Sequence, residues 1–271
     1  MKIFKSKHKL QKEILNIKNI SFVPTMGGLH KGHMSLIKKS KSFKGKTLVS
    51  IFVNPKQFDK KKDFINYPRN LKKDLKILKS LNVDLIYLPN LKDIFSFQVK
   101  NKIFLDKFSK KLCGKSRKGH FKGVLNIVNR FLELIKPKYI FLGIKDFQQS
   151  YLINMHILKR KINTKIIHCK TIRDKNGIAC STRNNNLNRN QFKIASNAIK
   201  YLKNKKKLIK KDLSNFKYFN IKNDLINIGL TKIEYIELYN LETFKRPKNK
   251  REKFKIFIAF YLNKTRLIDN I

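Results

Sequence analysis

The chain has 271 residues, 41 % hydrophobic and 11 % aromatic, enough to fill one large core or two modest ones and too apolar for a disordered polymer. Lys and Arg number 64 against 17 Asp and Glu, a formal charge of +47, which attracts anions of every kind and costs self-repulsion in a compact fold. No apolar run reaches the roughly 20 residues of a membrane span, the opening MKIFKSKHKL lacks an export core, and Cys113, Cys169 and Cys180 have no metal-ligand spacing, so a membrane protein, a secreted disulfide scaffold and a structural zinc site are excluded and a cytoplasmic protein is expected.

The predicted elements alternate. ISFV at 20–23 reads as a strand that stops at Pro24 and the Gly27-Gly28 pair, and HMSLIKKSKSF from His33 reads as an amphipathic helix. TLVSIFV at 47–53, ended by Asn54-Pro55, has the β-branched, continuous apolar look of a strand buried on both faces of a parallel sheet. Leu71, Leu75, Leu78 and Leu81 recur at helical spacing, and VDLIYLP at 83–89 is the next strand. A helix over 123–135, a strand over 139–142, a helix over 147–158 and a strand over 165–169 continue the series. Strands alternating with helices predict an α/β fold: a doubly wound parallel-sheet, Rossmann-like domain over 1–176, followed by a smaller α+β domain over 177–271. In that second part 191–202 reads as a helix, 204–211 as a lysine-rich turn, and 218–221, 233–238 and 254–262 as short strands.

The basic residues are 54 Lys and 10 Arg, spread along the whole chain. Base recognition favours the planar fork of Arg. A diffuse lysine excess therefore reads as solvated faces in a chain of biased composition, and no specific nucleic-acid partner is expected.

In open parallel sheets ligands bind beyond the carboxyl ends of the strands. The sharpest signal there is PTMGGLHKGH at 24–33. Two glycines allow a tight turn and a close backbone approach, and a helix opening near His33 directs amide N–H groups and its positive dipole end at an anion. His30 and His33, three residues apart on a first helical turn, would face one way and donate hydrogen bonds to phosphate oxygens as charge builds up. With no carboxylate or cysteine beside them, metal ligation by this pair is the weaker reading.

HxGH after a first strand resembles the signature of the nucleotidyltransferase superfamily. FVPTMGGLHKGHMSLI, VSIFVNPKQF, NYPRNLKKDL, GHFKGV, FLGIKDFQQ and IRDKNGIACSTRN resemble, in order and interval, the successive motifs of the pantoate–β-alanine ligase family. The resemblance implies a ligase that uses ATP and Mg²⁺ to condense (R)-pantoate with β-alanine through a pantoyl adenylate, releasing pyrophosphate and then AMP, in a homodimeric enzyme. It implies ATP contacts at Met26, Gly27, Gly28, Leu29, His30, Lys31, Gly32 and His33, with His30 and His33 on phosphate and His33 the candidate proton donor. Gly143, Ile144, Lys145 and Asp146 match the segment that receives ribose and phosphates. Ile172 matches a backbone contact to adenine, and Cys180, Ser181, Thr182 and Arg183 a loop that closes over the triphosphate.

The same resemblance assigns Gln57 and Gln149 to pantoate, with Gln57 also on β-alanine; an amide offers donor and acceptor together without adding charge. Arg117 and His120, in SRKGHFKGV, lie in a matching segment but stay outside the catalytic set. The chain departs from the family pattern at Ile144, Cys180, Thr182 and Lys73. The last of these leaves Asp74 as the isolated carboxylate to which a Mg²⁺ ligand role is assigned. Two rival readings are another HxGH nucleotidyltransferase with a different acceptor, and an RNA-binding protein whose affinity would be strongly salt-sensitive. The second leaves the histidine pair, the glutamine pair and the Ser-Thr-Arg run at strand ends without a purpose.

Overall fold

Six short apolar runs pair side by side as parallel strands: β1 Lys2–Phe4, β2 Ile20–Thr25, β3 Lys46–Ile51, β4 Leu85–Tyr87, β5 Tyr139–Gly143 and β6 Lys165–Cys169. The computed structural model describes residues 1–59 and 61–271, which divide into two compact units, Met1–Thr171 and Ile172–Ile271. Side chains alternate across the first unit's sheet. Phe22, Leu48, Leu85, Tyr87, Ile140 and Leu142 enter one core with Leu10 and Ile14 of helix Lys7–Ile14, the apolar stripe of helix His120–Ile135, and Ile153 and Ile157 of helix Phe147–Lys159. Val23, Val49, Ile86 and Phe141 face the other way, onto Leu36 and Ile37 of helix Lys31–Lys41 and Leu78 of helix Leu71–Ser80. Helices on both faces explain why the strands read as continuous apolar runs.

The strand order is β1-β4-β3-β2-β5-β6. From β2 the chain winds outward through β3 and β4, and from β5 it winds the other way to β6. The order reverses between β2 and β5, which lie directly paired, Ser21 opposite Tyr139 and Phe22 opposite Ile140. A crevice at the carboxyl ends of two such strands is where this class of sheet takes its ligands.

The second unit is an antiparallel sheet of β7 Lys232–Asn240, β8 Phe254–Leu262 and β9 Thr265–Asn270. Ile236, Leu238, Ile256, Ile258, Phe260 and Leu267 share a core with Ala195, Ala198, Ile199, Leu202 and Ile209 of helix Arg189–Lys211. Two sequence expectations are corrected here. Residues 204–211 continue that helix instead of turning, because lysine is a good helix former and the extra turns carry Ile209 into the core, where it is fully buried. Residues 218–221 open helix Tyr218–Asn227 instead of forming a strand: Ile221 and Leu225, four apart, are both fully buried, which is a helical period. The third strand is β9, which the sequence reading missed. Within this unit Arg173 makes a bidentate pair with the buried Asp269, at 2.5 and 2.9 Å.

Candidate active site

The loop after β2 turns at Gly27 and Gly28, both at positive φ (+77° and +62°), a conformation that side-chain-bearing residues rarely adopt. The Thr25 hydroxyl donates to the Ser50 carbonyl at 2.7 Å and accepts from the Gly27 amide at 3.3 Å, tying the loop to β3. The helix that follows begins at Lys31, two residues before the expected start, so that His30 is its N-cap and His33 its third residue. The two rings close a capping box: the Gly32 amide donates to His30 Nδ1 at 3.1 Å, and the His30 amide donates to His33 Nδ1 at 3.4 Å. Because both Nδ1 atoms accept, the neutral rings carry their protons on Nε2. The ring centroids lie 4.0 Å apart.

Desolvation, with the Lys145 charge adding to it, pushes the His30 imidazole down to about 4 against the smaller opposing pull of Asp146. Desolvation and the neighbouring His30 push His33 down to about 3. Both rings are therefore neutral at pH 7, and each offers one N–H donor. Lys145 and Asp146 follow β5 in the short turn Ile144–Asp146, with the ammonium 3.4 Å from the Asp146 carboxylate. The strand reversal thus brings the histidine loop and the Gly143–Asp146 segment to one crevice.

The loop after β3 carries Gln57, 8 % exposed, in the turn Pro55–Gln57. Its side-chain amide donates to the Met26 sulfur, which joins the two loops. Its backbone carbonyl is held by Arg117 Nη2 at 3.4 Å and by His120 Nδ1 at 2.6 Å; a carbonyl oxygen only accepts, so His120 Nδ1 is the donor. Arg117 also pairs with Asp59 at 2.9 Å. The Asn54 amide donates to the Gly123 carbonyl at 3.0 Å. At Gly123 a Cβ would sit 2.1 Å from the Lys56 carbonyl oxygen, so only glycine lets helix His120–Ile135 approach this turn. Gln149 stands in the first turn of helix Phe147–Lys159, partly exposed. Its neighbour Gln148 is buried and holds the 108–113 segment, accepting from the Cys113 amide and donating to the Phe108 and Lys111 carbonyls.

Arg117, His120, Asn54 and Gly123 are the residues that sequence reasoning passed over as supports of Gln57. SRKGHFKGV was the available signal, but its partner lies some sixty positions away.

Asp74, read from sequence as a magnesium ligand, is buried and committed elsewhere: its two oxygens accept from the Gly28 amide at 2.9 Å and the Leu29 amide at 2.7 Å. These are amides that the sequence reading aimed at an anion. Among the described residues no three His, Cys, Asp or Glu side chains gather to hold a metal, so the donors present do not fit a protein-built magnesium cage.

In the second unit Ile172 opens a tight turn, its carbonyl accepting from the Cys180 amide at 2.9 Å, and Arg173 bridges to Ala179. Ser181 caps the turn Thr182–Asn186, its hydroxyl accepting from the Arg183 amide at 3.3 Å, and Thr182 is buried.

A family model described as pantoate-beta-alanine ligase matches residues 2–271. The pantothenate synthetase of Francisella tularensis subsp. novicida is 39 % identical over 270 residues, covering 98 % of this chain and 94 % of that protein. That of Fervidobacterium nodosum is 38 % identical over 270 residues, covering 97 % and 95 %. The chain belongs to the pantoate–β-alanine ligase family. Among solved structures, the ligase of Francisella tularensis complexed with beta-gamma ATP and β-alanine matches with a TM-score of 0.84 at 38 % identity, over 100 % of this chain and 97 % of that one. The enzyme of Thermus thermophilus matches with a TM-score of 0.92 at 25 % identity, over 100 % and 99 %. The chain is accordingly an ATP-dependent ligase that condenses pantoate with β-alanine through an adenylate, releasing pyrophosphate and AMP. No helix among the described residues is long and apolar enough to cross a membrane.

Proposed function

We propose that the ligation runs over the carboxyl ends of β2, β3 and β5, with ATP on the loop that carries His30 and His33 and pantoate held by Gln57 and Gln149. The observation that supports this most is the imidazole pair, 4.0 Å apart, with both Nδ1 atoms occupied by backbone amides. That arrangement leaves two Nε2–H donors, and both rings are coupled to the Lys145 charge.

In the first step an oxygen of the pantoate carboxylate attacks the α-phosphorus and the bond to the bridging oxygen breaks, so that pyrophosphate leaves. Little covalent help is needed at phosphorus; fixed donors around the developing charge supply most of the rate. Neutral imidazoles suit this, because they donate without competing for a proton. The His33 Nε2–H group donates a hydrogen bond to the departing oxygen as negative charge builds up on it. In the second step the β-alanine amine attacks the acyl carbon, with Gln57 holding the amine, and AMP leaves.

In the same reading Asp146 receives the ribose hydroxyls, and Met26 to His33 together with Gly143 to Lys145 line the phosphates. The family resemblance assigns further ATP contacts to the Ile172 backbone and to Cys180, Ser181, Thr182 and Arg183. Mg²⁺ would arrive with the nucleotide, held by phosphate oxygens and water rather than by protein carboxylates. The enzyme works as a homodimer in the cytoplasm.

The test is a single-turnover assay of purified enzyme with ATP and pantoate, β-alanine withheld. Stoichiometric pyrophosphate and enzyme-bound adenylate are expected, followed by AMP when β-alanine is added. Pyrophosphate release that does not depend on pantoate would reject the reading, and AMP transfer to a different acceptor would point to another HxGH transferase.

A further inference from the structure

We infer that Asp74 is the positioning residue of the nucleotide loop and not a metal ligand: its carboxylate sets the direction of the Gly28 and Leu29 amides and, through them, of the imidazoles that follow. The inference rests on the reading of this loop as the ATP site.

Asp74 sits in the first turn of helix Leu71–Ser80 and is 2 % exposed. Each of its oxygens takes one amide of the loop, at 2.9 and 2.7 Å, a charge-assisted pair that is strong and directional. The third contact is steric. A Cβ at Gly27 would lie 2.9 Å from Asp74 Oδ2, and Gly27 has a φ of +77°. Glycine is thus required there twice, once for backbone conformation and once for room beside the carboxylate. Magnesium keeps several waters and demands near-octahedral geometry, and a carboxylate enclosed against two amides and a glycine offers no space for that shell.

The arrangement also changes what binds phosphate. In a bare glycine loop successive amides face the anion; here two of them face inward. The His30 and His33 Nε2–H groups then serve the phosphate in place of those two amides, and their aim depends on the loop that Asp74 holds. A fixed negative charge behind a triphosphate site weakens attraction for ATP. Its contribution is therefore geometric and belongs in turnover, not in affinity.

The experiment is Asp74→Asn, which keeps size but removes the charge and turns an NH₂ toward one of the amides. Adenylation kcat is expected to fall about 100-fold, the scale of a misplaced catalytic group. The KM for ATP should stay level or fall, the Mg²⁺ concentration for half-maximal rate should not move, and pantoate binding should persist. Without any substrate, the Gly28 and Leu29 amide resonances should shift upfield as the charge-assisted bonds are lost. An unchanged rate with unmoved resonances would overturn the inference, and so would recovery of the lost activity by excess Mg²⁺, which would make Asp74 a ligand.

Should the Asn variant not fold, the wild type decides. Slow solvent exchange of the Gly28 and Leu29 amides in the ligand-free enzyme supports the contact, and fast exchange of both rejects it. Absence of pyrophosphate release in the wild-type assay would sink the functional reading alone, because the amide measurements need no nucleotide.

Discussion

The loops after β2 and β3 stand side by side and are braced by opposite chemistry. The first is held through its amides, by the carboxylate of Asp74. The second is held through a carbonyl, that of Gln57, by the guanidinium of Arg117 and the imidazole of His120. Each brace reaches its loop across a glycine, Gly27 in one case and Gly123 in the other. The comparison teaches that a binding loop at the carboxyl end of a strand needs a buried counter-group for its own backbone before its side chains can be aimed, and that the polarity of the counter-group follows whichever backbone atom is turned inward.

Substitutions can break either half. The largest effect is expected from His33→Ala, which removes a donor to developing charge and should slow adenylation about 100- to 1,000-fold. Single-turnover pyrophosphate release checks it, and the melting curve should remain cooperative. Gly123→Ala should come next. Its methyl would be driven 2.1 Å from the Lys56 carbonyl oxygen, and the forced backbone shift should cost about 1–3 kcal/mol in denaturant unfolding while weakening pantoate more than ATP.

Arg117→Ala and Gln57→Ala should each raise the KM for pantoate about 10-fold, the loss of one bond involving a charged group, and leave the KM for ATP nearly unchanged. Equal losses for both substrates in Arg117→Ala would mean that the two loops are a single mechanical unit.

The smallest effect concerns pH and is carried by the β2 loop. An unfolded histidine takes up its proton near 6.5, whereas folded His30 and His33 wait until about 4 and about 3. Between those values the unfolded chain binds more protons, so the stability contributed by the β2 loop is intact above 6.5 and falls as pH drops toward 4 and below. Imidazole NMR should show no His30 or His33 titration near neutrality, and stability measured from pH 7.5 to 4.5 should fall on the acid side only.

Much of this was legible in the sequence where information is local. The buried runs ISFV and TLVSIFV announced a parallel sheet, and the Gly-Gly turn before HxGH marked the end of β2 as the place for an anion. What misled was equally local. A lysine block at 204–211 looks like a turn when its single apolar contact, Ile209, is not yet known to be buried, and 218–221 is too short to separate a two-residue from a 3.6-residue period. The amphipathic pattern starts at His33, two residues inside the helix; histidine is not a preferred N-cap residue, yet the capping box of His30 and His33 fixes the tautomer of both rings.

By itself the sequence determined the alternation of strands and helices from β2 to β6, the identity of the donors and the family to which they belong, since each depends on residues within a few positions of one another. Only the tertiary structure decided which donors remain for the substrate. Asp74 meets the Gly28 amide across 46 positions and His120 meets Gln57 across 63. Whether a buried polar atom faces its own backbone or a ligand depends on which distant partner reaches it first, a fact that exists only after the chain has folded.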